Sequence, residues 1–130
     1  MINKIKLIKL KIIKDKRGDL LKYIDKKSNF YKKFGEIYFN EIKKNEIKGW
    51  NYHKKNQCII TVPFGKVKFK FTNTIGGKVK VITIGRENYK AIVIPPKVWF
   101  NFTSVKKHSL VVNFIDNKHS KKETLKASVL

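Results

Sequence analysis

Apolar and polar residues alternate along most of the chain, and that alternation predicts strands. KVKFKF (66–71) is the plainest case, with Val67, Phe69 and Phe71 on one side and three lysines on the other. KVKVITI (78–84) repeats the pattern after the turn TNTIGG. Ile5, Leu7, Leu10 and Ile12 alternate with lysines as an N-terminal strand, and a turn at DKRGD (15–19) leads into LLKYI. Further strands are expected at GEIYFNEI (35–42), EIKGWNYH (46–53), QCIITV (57–62), AIVIPP (91–96), VWFNF (98–102) and SLVVNFI (109–115). Many short strands broken by glycine, proline and asparagine predict an all-β sandwich or barrel. No helix start with an apolar stripe is found. The tail, NKHSKKETLKASVL, is expected to be a short helix or a frayed end. Nothing marks a second domain, so residues 1–120 read as one β domain and 121–130 as a C-terminal tail.

Charge changes the picture less than its size suggests. The formal net charge is +22, carried by 29 lysines and only 2 arginines, Arg17 and Arg86. Base and phosphate recognition favours the planar arginine fork, and these lysines are spread along the whole chain instead of forming one block. With 17 isoleucines and 11 asparagines, the lysine excess reads as a bias towards A/T-rich codons, not as a nucleic-acid interface. A field of this sign still draws anionic ligands inward. The one cysteine, Cys58, excludes an internal disulfide and permits a reducing compartment. The N-terminal MINKIKLIKLKIIK splits its apolar residues with lysines, so neither a secretory signal nor a membrane span is expected.

Candidate chemistry gathers in KGWNYHKKNQ (48–57). Strand alternation puts Asn51 and His53 on one face and Trp50 and Tyr52 on the other. His53 is a candidate general base, since an imidazole exchanges a proton near neutral pH, or else a histidine satisfied inside a polar barrel. Tyr38, on the preceding strand, is a candidate proton donor or a core aromatic with its hydroxyl paired at the rim. His108 follows two lysines and reads as a solvated loop residue. Three histidines and 9 acidic residues offer no ligand cluster, so no metal is expected.

The order DKRG (15–18), FGEIYF (34–39), KGWNYHKK (48–55), a strand ending in FG, and IPP (94–96) resembles the dTDP-4-dehydrorhamnose 3,5-epimerase-like cupins over roughly residues 5 to 120. The resemblance implies a small jelly-roll β-barrel, a homodimer, a cytoplasmic setting and a nucleotide-diphosphate 4-keto-6-deoxy sugar as substrate. It implies proton abstraction next to the sugar ketone, without metal or organic cofactor. Arg17 matches the arginine associated with the phosphates, and Lys48 stands where longer members have arginine. Asn51 occupies the place of the basic histidine, and Phe100 that of a histidine after the proline turn. His119 falls near the expected tyrosine acid. Trp50 and Gln57 are taken as further substrate contacts. The strand also resembles that of the dTDP-sugar 3,4-ketoisomerases, where His53 matches a second histidine, Lys54 the following lysine and Tyr38 roughly the tyrosine. The expected function is an epimerase or isomerase working through His53 and Tyr38. A cupin that binds the nucleotide sugar without turning it over is the alternative.

Overall fold

The computed structural model of the protein describes residues 1–118 and 120–128. After a 3-10 turn at Ile2–Lys4 come β1 (Lys6–Lys9), β2 (Ile12–Ile13), β3 (Leu20–Leu21), β4 (Glu36–Lys43), β5 (Ile47–His53) and β6 (Cys58–Phe64). Then follow β7 (Lys66–Thr72), β8 (Val79–Gly85), β9 (Lys90–Ile94), β10 (Trp99–Ser104), β11 (His108–Ile115) and β12 (Thr124–Lys126). Two five-stranded sheets are ordered β1-β9-β6-β11-β4 and β12-β5-β10-β7-β8, and a separate two-stranded ribbon of β2 and β3 comes between β1 and β4 in chain order. The pairings between these strands are antiparallel. This is the jelly-roll sandwich expected for a cupin.

The period-two pattern sets the core. Val67, Phe69 and Phe71 of β7 are fully buried and pack with Phe100 and Phe102 of β10 against Ile60, Val62, Ile92, Ile94, Val111 and Ile115 of the facing sheet. Burying one such phenylalanine contributes about 1.5–3 kcal/mol. A second cluster lies on the outer face of the first sheet. There Ile59, Ala91, Val93 and Phe114 are covered by Leu10, Tyr23, Ile24, Phe30 and Tyr31. The Tyr23 hydroxyl is tied to the Ile59 carbonyl. Sheet one is therefore apolar on both sides, which explains the unbroken apolar runs of β6 and β9.

Three details differ from expectation. The N-terminal strand breaks into β1 and β2, because β1 pairs with β9 as far as Lys9 and the chain then leaves the sheet to form the ribbon. On β8 the apolar residues Val79 and Val81 face outward, and only Ile84 is buried fully; β8 pairs with β7 alone and forms the sheet's edge. Among its described residues the tail is not the helix or frayed end expected. Thr124–Lys126 adds a strand to β5, in the register His53–Thr124, Tyr52–Leu125 and Asn51–Lys126. Leu125 and Lys126 are exposed, so backbone pairing, not core burial, holds this strand.

Candidate active site

The local geometry of β5 decides what faces inward. Between Phe100 and Asn101 the pairing of β10 with β5 slips by one residue, from Asn51 to Gly49, leaving Trp50 as the bulged residue. Trp50 pairs instead with the tail, donating its N–H to the Ala127 carbonyl at 3.1 Å. Gly49 has φ of 109°, and a Cβ there would sit 2.6 Å from the Phe100 carbonyl oxygen. Only glycine fits without displacing backbone. Beyond the bulge, Asn51 and His53 both turn to the interior, while Tyr52 packs outside on Trp99 with ring centroids 4.9 Å apart.

Asn51 and His53 form part of the wall of a cavity of about 160 Å³ between the sheets, with Tyr38 and Asn40 of β4, Phe100 of β10, Asn113 of β11, and Thr124 and Lys126 of β12. At roughly 30 Å³ per water, this is space for about five waters, or one sugar ring.

His53 is only 5% exposed, yet it borders this cavity. Its Nδ1 lies 2.7 Å from Glu123 Oε1 and its ring stacks on Phe100 at 6.4 Å. The other carboxylate oxygen of Glu123 accepts the backbone N–H groups of Lys55 and Asn56, each at 3.0 Å. Burial alone would push the Glu123 carboxyl up, but the Lys55 amide, the His53 ring and the Asn56 amide together bring it down to about 2. A carboxylate in that state holds a proton on Nδ1 and leaves Nε2 as the ring nitrogen able to exchange one with a ligand.

Tyr38 reaches the same cavity from the other sheet. Its hydroxyl oxygen accepts Asn113 Nδ2–H at 2.8 Å, and burial pushes the phenol up to about 12, so it stays protonated at neutral pH. Asn113 Nδ2 also lies 3.8 Å from Cys58 Sγ, a thiol that burial raises to about 12 and keeps unreactive. Asn113 Oδ1 is buried without a hydrogen-bond partner. Leaving such an oxygen unpaired costs about 1–3 kcal/mol.

The remaining candidates scatter. Lys48 is exposed, donating to Asn40 Oδ1 at 2.5 Å and to the Glu41 carbonyl at 2.7 Å, which puts its ammonium beside one wall residue of the cavity. Arg17 lies in the turn between β2 and β3, 89% exposed and paired with Asp15 at 2.8 Å, and does not border the cavity. Trp50 lies off it as well. Gln57 is spent on the scaffold, its side chain donating to the Phe30 carbonyl and its backbone N–H to Asp116. His119 lies outside the described residues. His108 is exposed, as expected, but opens β11 and packs against Phe64. Among the described residues no three His, Cys, Asp or Glu side chains converge as metal ligands. A larger groove of about 740 Å³ runs between the β6–β7 turn, the β8–β9 turn and the β10–β11 loop. Lysines, Arg86, Glu87 and His108 line it, but His108 packs on Phe64 and among the described residues has no carboxylate on its ring as His53 has, so the smaller cavity is the candidate active site.

Glu123, Asn113 and Lys126 escaped the sequence reading. Glu123 and Lys126 sit in a segment with no strand-length alternation. Asn113 did leave a trace, as the one polar residue inside the apolar run LVVNFI (110–115).

Comparison with known proteins agrees with this fold. No curated protein sequence matches the chain. Among solved structures, a dTDP sugar isomerase from Desulfovibrio desulfuricans G20 superposes with a TM-score of 0.91 at 29% identity, covering 96% of this chain and 84% of that one. QdtA, a sugar 3,4-ketoisomerase from Thermoanaerobacterium thermosaccharolyticum solved in complex with TDP, superposes at 0.82 and 22% identity, covering 96% and 89%. A dTDP-4-dehydrorhamnose 3,5-epimerase from Sulfolobus tokodaii gives 0.84 and 25%, covering 95% and 77%. Both branches that the β5 motif resembles are thus among the structural neighbours. Residues 3–128 match a single family over nearly the whole fold, and the chain belongs to it: the FdtA family, WxcM-like, C-terminal.

Proposed function

We propose that the protein is an isomerase of a nucleotide-linked 4-keto-6-deoxyhexose, transferring a proton at one carbon beside the ketone, in cell-surface polysaccharide synthesis. The observation that carries this reading is the convergence of His53, backed by Glu123, and Tyr38 on one cavity the size of a sugar ring. His53 Nε2 takes a proton from the carbon next to the carbonyl. The C–H electrons form a C=C bond and the carbonyl π pair moves onto oxygen. Lys126 and the amides of Asn40 and Asn51, all on the cavity wall, are placed to offset the negative charge that develops there. Tyr38 then gives its phenol proton to carbon. If that carbon is the former carbonyl carbon and the neighbouring hydroxyl passes its proton to the enolate oxygen, the ketone has moved by one position. If it is the original carbon, approached from the other face, the product is an epimer. His53 and Tyr38 return to their starting states by proton exchange with water.

Among the described residues His53 alone brings an imidazole to the cavity, which supports one proton transfer per turnover, not a double epimerisation. The likeness to the D. desulfuricans dTDP sugar isomerase supports an isomerase of such a sugar. The diphosphate would lie across the mouth near Lys126 and Lys48, with Arg17 brought in only by movement of its turn or from a second subunit. A homodimer in the cytoplasm fits this reading. Ile37 and Phe39 of the edge strand β4 stand exposed, with Phe39 70% open, and support an interface there.

Binding without turnover is the second reading. Asn51 and Phe100 favour it, because an amide and a phenyl ring stand in the cavity where the resemblance expects histidines. Proton NMR of dTDP-4-keto-6-deoxyglucose incubated with the protein separates the two. New sugar resonances support the isomerase. Saturable binding by calorimetry with an unchanged sugar spectrum leaves the binding protein.

A further inference from the structure

His53 and Tyr38 are held by different parts of the fold. Glu123 fixes the imidazole from the tail, whereas the phenol is fixed from its own sheet. Asn113 stands directly opposite Tyr38 in the β4–β11 register, and its Nδ2–H meets the phenol oxygen at 2.8 Å. Asn113 is 4% exposed and sits between Val112 and Phe114, paired on its other side with Ile60. A residue needed only to fill this space would be aliphatic like its neighbours. Instead the position holds a carboxamide with one end on Tyr38 and the other without a partner.

A phenol oxygen that accepts an N–H directs its own hydrogen elsewhere, because that hydrogen cannot point back at a donor. Tyr38 and Asn113 both border the cavity, so the space where a ligand would accept that hydrogen lies beside them. We propose that Asn113 is the positioning residue of the Tyr38 proton donor, donating to the phenol oxygen so that the Tyr38 O–H is presented to the sugar in the cavity. This rests on the isomerase reading above and adds a residue to it. The same contact favours the phenolate left behind once the proton has gone, opposing part of what burial does to Tyr38.

The test compares wild type with Asn113→Leu, which removes the donor at similar size, and Asn113→Asp, which offers acceptors in its place. With dTDP-4-keto-6-deoxyglucose, kcat should fall about 10-fold or more in both variants while KM stays within about 2-fold, since a proton-transfer step is impaired and binding is not. Unchanged kcat in Asn113→Leu, or full activity in Asn113→Asp, overturns the proposal. A second readout needs no turnover. In protein labelled with 3-fluorotyrosine, the fluorine resonance of Tyr38, assigned by its loss in Tyr38→Phe, should titrate at higher pH in Asn113→Leu than in wild type. An unmoved titration overturns the proposal even if the wild-type protein turns over no sugar, and a raised one sustains the contact in that case too. Inactive wild-type protein would count against the isomerase reading alone.

Discussion

Glu123 Oε1 lies 2.7 Å from His53 Nδ1, though 70 positions separate the two residues in the chain. This contact fixes the orientation of the imidazole that the proposed reaction uses as its base. It exists only because β12 pairs with the end of β5 and because the Lys54, Lys55 and Asn56 N–H groups bond to the Glu123 carbonyl and carboxylate.

Replacing that carboxylate should therefore do more than weaken a tail contact. Glu123→Gln keeps the shape but no longer holds a charge against Nδ1, and kcat should fall by about 10- to 100-fold, in the range of outer-shell partners of functional histidines. Steady-state rates on the nucleotide sugar measure it.

The same residue predicts a pH dependence of stability. Its carboxyl lies at about 2 in the folded protein, below its ordinary 4.5. A carboxylate depressed in this way adds stability above the unfolded value, and the contribution is lost as pH falls through the folded one. The gap in urea midpoint between wild type and Glu123→Gln should be constant above about pH 4.5 and should close as pH falls towards 2.

Tyr38→Phe separates the two halves of the reaction. The base remains, so solvent hydrogen should still exchange at the carbon beside the ketone, while product formation drops by about 100-fold or more. Equal loss of exchange and product would mean that the phenol does not act after the base.

The bulge at Gly49 holds the phase of the strand. Gly49→Ala forces a side chain against the Phe100 carbonyl in a left-handed backbone, and should cost roughly 1–3 kcal/mol in chemical denaturation. Activity should fall further than stability does, since Asn51 and His53 follow directly.

How much of this was open to reading depended on whether a pattern is local. Val67, Phe69 and Phe71 announce their strand because period two survives any context, and all three are buried as read. The facing of Asn51 and His53 followed from the same rule. Val79 and Val81 misled, because alternation records which residues are apolar and not whether a second sheet lies over them. Glu123 could not be seen from its surroundings. A three-residue strand held by backbone bonds carries no hydrophobic signature, and its pairing with β5 is a matter of tertiary geometry. Arg17 and Gln57 were expected as substrate contacts; in the structure Arg17 lies out in a turn and Gln57 donates to the Phe30 carbonyl, neither on the cavity wall.

The central claim is that His53 removes a carbon-bound proton from a sugar in the cavity. Incubating the protein with dTDP-4-keto-6-deoxyglucose in deuterium oxide tests it most directly, with mass and NMR analysis of the recovered sugar. The account predicts deuterium at a carbon adjacent to the ketone with wild-type protein, and none above background with His53→Ala. Equal incorporation by the two proteins, or none by wild type while the sugar binds saturably, would contradict it.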